Sequence, residues 1–164
     1  MIDRYGEIYS FDPGKATGIA EVGTDAGDPW FAQILPEDEA MDYLLDVALT
    51  HVRGMTLVVC ESIVITAGTA KKSSDVHASL RQIGTIHHAC RRANVDLLMQ
   101  QPNEGMKFGL DKLRACGWWT KGPDHANSAS AHLLLACSAV VPGFKELVMA
   151  RLKEPSDVPV GLPG

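Results

Sequence analysis

Positive charge is scarce in this sequence. Its 164 residues carry 15 lysines and arginines against 20 aspartates and glutamates, a formal charge of -5. Taken whole, that balance argues against a polyanionic partner. Long apolar runs are missing too: no stretch approaches the ~18 residues that a membrane helix needs. The opening Met-Ile-Asp-Arg-Tyr-Gly-Glu lacks the basic-then-apolar order of a secretory signal. The four cysteines, Cys60, Cys90, Cys116 and Cys137, stand far apart with no CxxC pair. That spacing excludes a zinc ribbon or a disulfide framework and predicts reduced thiols in a cytoplasmic protein. Internal repeats and a second domain are absent as well. What is present is 46% hydrophobic residues, enough for one core in a chain of single-domain length.

The scarce positive charge is not evenly spread. Residues 1–70 hold three basic and twelve acidic residues, residues 71–121 hold nine and four, and residues 122–164 hold three and four. The middle third is a basic island in an acidic chain. A phosphate backbone responds to such a patch within a Debye length of about 8–10 Å, not to the net charge. A solvated helix with ordinary surface Lys and Arg gives the same count.

Hydrophobic spacing predicts three short strands over 5–12, 16–23 and 29–35, closely spaced as in an antiparallel meander. Met41, Leu44, Leu45, Ala48 and Val52 line one face of a helix over 38–53. Thr56–Cys60 is a continuous apolar run, the mark of a strand buried on both faces. A loop over 62–72 precedes a long helix over 73–93 whose core face carries Val76, Leu80, Ile83, His87 and Cys90. On its other edge Ile86, Ala89 and Ala93 form either a dimer seam or a widening of the core face. A strand over 95–101, short helical pieces within 103–116, a loop over 117–123 and helices over 124–140 and 144–153 complete the order. Residues 1–153 form the domain, and the Pro- and Gly-rich tail 154–164 is expected to be disordered. A meander followed by alternating helices and strands predicts an α/β fold: a mixed sheet with helices on its faces and parallel pairing among strands 1, 4 and 5.

Two carboxylates stand out. Asp12 ends the first strand and Glu61 ends the buried apolar strand, where open α/β sheets gather their ligands. Asp124 opens a late helix that can pack over the same edge. Three hard oxygen donors without cysteine suit Mg²⁺ or Mn²⁺. Two such ions can activate water and stabilise the leaving oxygen of a phosphoryl displacement. Singly, Asp12 before Pro-Gly is also a turn residue, and Asp124 after Pro123 is also a helix cap. Glu61 is harder to explain structurally, because a carboxylate ending an apolar strand is costly if left unpaired. Asp12-Pro-Gly-Lys-Ala-Thr-Gly18 has neither the spacing nor the following helix of a phosphate-cradling loop.

Phe11-Asp12-Pro13-Gly14 with Thr17-Gly18 resembles the first-strand motif of RuvC-like Holliday junction resolvases, of the RNase H-like superfamily. Val58-Val59-Cys60-Glu61 resembles their second acidic motif. Gln101-Pro102-Asn103-Glu104 with Lys107 resembles the segment after the fifth strand, where a basic residue lies near the site. Asp124-His125-Ala126-Asn127-Ser128-Ala129 resembles their last, metal-facing helix. The resemblance spans about residues 7–140. It implies a five-stranded mixed sheet, three antiparallel then two parallel strands, with helices on both faces. It implies a homodimer and metal-dependent cleavage of branched DNA, with two Mg²⁺ per site (Mn²⁺ substituting), leaving a 5′-phosphate and a 3′-hydroxyl. Asp12 would bridge the ions, and Glu61 and Asp124 would complete the cage. The last helix departs from the family, which has two acids or a His/Asp pair three residues apart. Here the candidates are His125/Ser128 or Asp124/Asn127. The Ala after Ser128 favours the first pair, so that Ser128 stands for an acid and Asp124 is an added neighbour. The short stretch between Pro102 and Asp124 resembles phage-encoded relatives.

With an acidic site beside it, the basic island reads as a DNA-contacting surface. His77, Arg81, His88 and Arg92 fall within about 60° on the long helix. Lys71 and Lys72 precede them, and Lys107, Lys112, Arg114 and Lys121 follow. Trp118 and Trp119 can stack on bases at an opened junction, or pack into the core. His132, two turns beyond Asp124, fits a packed helix histidine better than a ligand. Junction binding is expected to be salt-sensitive and weaker without divalent ions. Two other functions fit the same residues: a broader RNase H-like nuclease acting on flaps, single strands or RNA–DNA hybrids, and a DNA-binding module with a decayed metal site, for which Ser128 speaks.

Overall fold

Alternation along the inner strands decides which face of the sheet receives the acids. The structure, a computed structural model, describes residues 5–23, 30–50, 55–66, 73–122, 124–154 and 160. Its strands are β1 (Glu7–Asp12), β2 (Ala16–Gly23), β3 (Phe31–Pro36), β4 (Thr56–Glu61) and β5 (Asp96–Gln100). The helices among the described residues are α1 (Glu37–Thr50), α2 (Ser73–Ala93), α3 (Pro102–Phe108), α4 (Leu110–Ala115), α5 (Asp124–Val140) and α6 (Phe144–Lys153). The sheet runs β3-β2-β1-β4-β5. The first three strands pair antiparallel, and β1–β4 and β4–β5 pair parallel. This is the mixed five-stranded sheet expected from the element order.

Tyr9, Phe11, Val58 and Cys60 point to one face, where Leu44 and Val47 of α1 and Ile86 and Cys90 of α2 cover them. Ile8, Leu57 and Val59 point to the other, beneath Leu133 and Leu134 of α5, with Trp118 and Phe144. Side chains alternate along a strand. Asp12, Glu61 and Gln100 therefore share the face covered by α5. Phe11 pairs with Cys60, and Glu61 pairs with Gln100. Three polar side chains thus close three adjacent parallel strands at one edge.

The α2 face differs from the periodic reading. Leu80 is 42% exposed and His87 is exposed, whereas Gln82 is buried and Ile86 is fully buried. Gln82 is drawn inward by hydrogen bonds to the turn after β1, which rotates the helix away from its purely apolar stripe. The proposed seam residues Ile86 and Ala89 consequently lie in the core and are not available to a second subunit. Asn94, at φ 57, ends α2 in the left-handed conformation that asparagine tolerates.

Of the tail beyond Glu154, residue 160 is described. Val160 is buried, its N–H donates to the Cys116 carbonyl at 2.9 Å, and its carbonyl accepts the Trp118 indole N–H at 2.8 Å. An indole sunk in the core needs an acceptor, and Val160 supplies one. Trp118 also stacks on Trp30, with ring centroids 6.1 Å apart. It is fully buried and cannot stack on a base.

Candidate active site

The site is assembled around a tight turn. After Asp12 the chain reverses through Pro13-Gly14, and α2 grips the reversal. Ser79 Oγ donates to the Pro13 carbonyl at 2.9 Å and Gln82 Nε2 to the Gly14 carbonyl at 2.5 Å. The Thr17 hydroxyl lies 3.0 Å from the same Gly14 oxygen and 2.8 Å from Gln82 Oε1. Lys15 reaches Ser74 Oγ and Asp75 at 2.9 and 3.1 Å. This network holds Asp12 at the sheet edge.

Gly18 brings in the other half. It is the cross-strand partner of Asp12. A Cβ at Gly18 would stand 2.0 Å from the His125 carbonyl oxygen, so only glycine lets the start of α5 lie directly on β2. That approach sets His125 Nδ1 2.8 Å from Asp12 Oδ2. One turn along, Ser128 Oγ donates to Glu61 Oε2 at 2.9 Å. A further turn along, His132 Nε2 stands 3.0 Å from the same Oε2, and its Nδ1 lies 2.6 Å from Gln100 Oε1. The His132 Nε2 contact is within range but off the hydrogen-bond line, leaving that buried nitrogen without an aligned partner.

The electrostatics follow from crowding. Burial raises the Asp12 pKa above the ordinary carboxylate range; the nearby Glu61 charge adds to this, against the hydrogen bond from His125. The hydrogen bond to Asp12 raises the proton affinity of His125, helped by the charges of Asp12, Glu61 and Asp124 and opposed by burial. Burial pushes the Cys90 and Cys116 thiols up to about 11, and Cys60 and Cys137 higher still. None of the four thiols is a thiolate near neutral pH, which removes cysteine nucleophile chemistry from the edge.

Asp12 and Glu61 form a ridge between two clefts. A cleft of about 530 Å³ is lined on its apolar side by Ile63, Val64, Ile83 and Pro102. The second, about 490 Å³, is lined by Arg114, Trp119, Asp124, His125 and Ser128. Two carboxylates crowded at a poorly solvated edge between open clefts fit a divalent cation, which would relieve the strain that raises Asp12. Their donors are hard oxygens, the set that suits Mg²⁺ and Mn²⁺. Among the described residues no three His, Cys, Asp or Glu side chains stand preassembled as a metal cage. The protein supplies two carboxylate anchors, not a closed site.

No protein-family model matches the sequence, and no curated protein sequence matches it. Solved structures do match. RuvC of Thermus thermophilus in complex with a Holliday junction substrate superimposes with a TM-score of 0.59 at 15% identity, covering 81% of this chain and 94% of that one. A second T. thermophilus RuvC structure gives a TM-score of 0.48 at 15% identity, over 81% and 95% of the two chains. The chain has a RuvC-like fold.

Within that fold the predicted site residues divide clearly. The α5 pair that meets the carboxylates is His125 and Ser128, not Asp124 and Asn127. Asp124 is exposed at the rim of the second cleft and acts on His125 through its charge. Asn127 is buried and spent on Thr120, accepting its N–H and donating to its carbonyl at 3.0 Å. Lys107 is exposed on α3 but lines neither cleft. Trp119 remains 36% exposed, with the Arg114 guanidinium 5.2 Å from its ring.

The basic stripe is partly consumed. Arg81 makes two hydrogen bonds to Glu37 of α1, at 3.1 and 2.9 Å, so its charge is already matched. Lys112 donates to the Phe108 carbonyl and lies 4.6 Å from that ring. His77, His88, Arg92 and Lys121 are exposed. Lys71 and Lys72 lie outside the described residues. Sequence pattern alone gives His132 as a packed helix residue and does not single out Gln100. The available signal was parity: Gln100 ends β5 on the same face as Glu61, and His132 follows Ser128 by one helical turn.

Proposed function

We propose that this protein is a divalent-metal-dependent endonuclease that cleaves branched DNA, four-way junctions foremost, and that it acts as a homodimer. The observation that carries this reading is the juxtaposition of Asp12 and Glu61 at the ends of adjacent parallel strands. His125 and Ser128 face them from α5, and two open clefts flank them. The RuvC-like fold supports it.

Asp12 and Glu61 would hold the first ion, and Asp12 with Asp124, at the rim of the second cleft, the second. Mg²⁺, or Mn²⁺ in its place, supplies a polarised water for attack on phosphorus and positive charge for the leaving oxygen. His125, bonded to Asp12 through Nδ1, can hold or release a proton at Nε2 on the cleft side. Ser128 fixes Glu61. Trp119 and Arg114 offer a ring face and a cation to the strand entering the second cleft. Lys107 and Lys121 would contact phosphates and position the duplex without reading sequence, whereas His77 and Arg92 lie on α2, beside the acidic α1.

A cleavage panel tests the reading. Four-way junctions, flaps, duplex, single strands and RNA–DNA hybrids are incubated with Mg²⁺ or Mn²⁺, with Asp12→Asn as control. Paired nicks across the junction, lost in Asp12→Asn, are expected. A preference for flaps, single strands or hybrids would replace junction resolution with a broader nuclease. Binding with no cleavage in either metal would leave a binding module. Light scattering on the eluting protein reads the dimer, and a monomer with full activity would remove it.

A further inference from the structure

We propose that His132 is a positioning residue that fixes the rotamer of Glu61 from beneath, with Gln100 as its anchor on the next strand. The inference rests on the reading of Glu61 as a metal-holding carboxylate and adds a residue that this reading does not require. Three observations carry it.

First, the imidazole is fully buried yet polar at both ends. Nε2 is 3.0 Å from Glu61 Oε2 and Nδ1 is 2.6 Å from the Gln100 amide. A packing histidine in an apolar core would not be expected to bridge two polar side chains. Second, the bridged residues are direct cross-strand partners, Glu61 of β4 and Gln100 of β5. The ring therefore spans neighbouring positions on one face, just behind the ridge. Third, the neighbouring helix makes room for it. A Cβ on Gly105 of α3 would stand 3.0–3.1 Å from three ring atoms, so the backbone of α3 lies flat against the imidazole. A side chain there would have to push the ring by a few tenths of an ångström.

The hydrogen arrangement is determined by chemistry. A nitrogen that faces a carboxylate presents N–H, not a lone pair, so Nε2 carries the hydrogen toward Glu61. Nδ1 then accepts from the Gln100 amide, whose NH₂ end takes that position by a half-turn of the group. Ser128 gives Oε2 its aligned hydrogen bond. His132 adds a second dipole on the same oxygen. With Oε2 bonded by Ser128 and faced at 3.0 Å by the His132 nitrogen, Oε1 is left for the cleft. Outer residues of this kind commonly change metal affinity by about 10–100-fold when removed.

The test reads metal binding directly, by the loss of the free Mn²⁺ electron paramagnetic resonance signal on titration, alongside cleavage of a four-way junction. His132→Leu keeps the bulk and removes both polar ends; it should weaken Mn²⁺ at least tenfold. His132→Gln, which can still donate to Glu61, should stay within about threefold of the wild type. Junction binding without divalent ions should be unchanged in both. A folded His132→Leu protein with wild-type Mn²⁺ affinity overturns the proposal, as does equal weakening in the Gln variant. If His132→Leu does not fold, Gln100→Met frees the ring's anchor while leaving the ring; unchanged Mn²⁺ affinity there also overturns it. Wild-type protein that binds Mn²⁺ but cuts no branched DNA defeats the functional reading alone. Wild-type protein that binds no Mn²⁺ defeats both.

Discussion

Replacing Ser128 by Asp is the perturbation whose sign depends most on whether a cation sits at the ridge. Ser128 Oγ donates to Glu61 Oε2 at 2.9 Å. The substitution removes a hydrogen bond to a charged group, about 1.5–3 kcal/mol. It also sets a second carboxylate some 4 Å from the first, about 4 kcal/mol of repulsion at an effective dielectric constant near 20. The two costs do not add in full, because the new acid can take up a proton, for about 4 kcal/mol at neutral pH, and then donate a hydrogen bond to Glu61 in place of the serine. A net loss of about 3–5 kcal/mol in EDTA is expected. For a chain of this length that is a fall in Tm of roughly 10 °C. Saturating Mg²⁺ should reverse much of it, because the added carboxylate is a further ligand: a Kd about a hundredfold tighter than that of the wild type gives the variant about 2.7 kcal/mol more stabilisation from the ion. Ser128→Ala, losing only the hydrogen bond, should show a smaller fall and no extra response to Mg²⁺. Thermal melts of the three proteins with EDTA and with Mg²⁺ give the comparison, and junction cleavage by Ser128→Asp should equal or exceed wild type. A fall in Tm of the same size in EDTA and in Mg²⁺, or a folded but inactive Ser128→Asp, would refute the reasoning.

Four further outcomes follow from the same geometry. Gly18→Ala drives a Cβ into the His125 carbonyl, 2.0 Å away, where backbone meets backbone; a loss of about 1–3 kcal/mol and a disproportionate loss of cleavage are expected in melts and nicking assays. In EDTA, stability should fall as pH rises above the ordinary histidine value of about 6.5. The raised His125 contributes fully below the ordinary histidine value of about 6.5 and is lost as pH passes its folded value; the raised Asp12 has the same sign. His125→Gln should flatten that slope, and a Tm that climbs with pH would contradict the pairing. Ending the chain after Glu154 strips the Trp118 indole of its acceptor and removes the buried Val160, so the urea midpoint should drop by an amount worth about 3 kcal/mol. Trp119→Ala should weaken junction binding by about 1–3 kcal/mol in fluorescence titrations if one base stacks there, and unchanged affinity would remove Trp119 from the interface.

Much of the fold was legible because it is written in periodicity. The unbroken apolar run Thr56–Cys60 could only be an inner strand, and α2 and α5 begin and end where their patterns do. The carboxylates were legible for the same reason, since an acid ending such a strand has no cheap structural explanation. What was not legible depends on partners distant in sequence. Gln82 turned α2 because Gly14, 68 residues away, offered a carbonyl. Trp118 was buried because Val160, 42 residues on, met its indole N–H. His132 became polar at both ends only through strands β4 and β5. A helical period records which face is apolar; it does not record that a buried glutamine or histidine has found its hydrogen bonds.

The same distinction resolves the charge balance. Glu37, Asp38, Glu39, Asp42 and Asp46 all lie on α1, which with α2 covers the Phe11 face of the sheet. Glu37, Asp38 and Glu39, in its first turn, favour the start of α1 through the helix dipole, and Glu37 takes Arg81 out of the basic stripe. The ridge lies at the edge shared with α5, on the opposite face. A duplex approaching Asp12 and Glu61 from the α5 side would meet Arg114 and Trp119 in the cleft, with the sheet between it and the acidic helix. The acids that would face phosphate are Asp12, Glu61 and Asp124, and these are the ones that a divalent ion would offset. Net charge therefore says little about the partner of this chain. The sheet separates the acids that stabilise a helix from the acids that would hold a cation, and only the second group would share a surface with DNA.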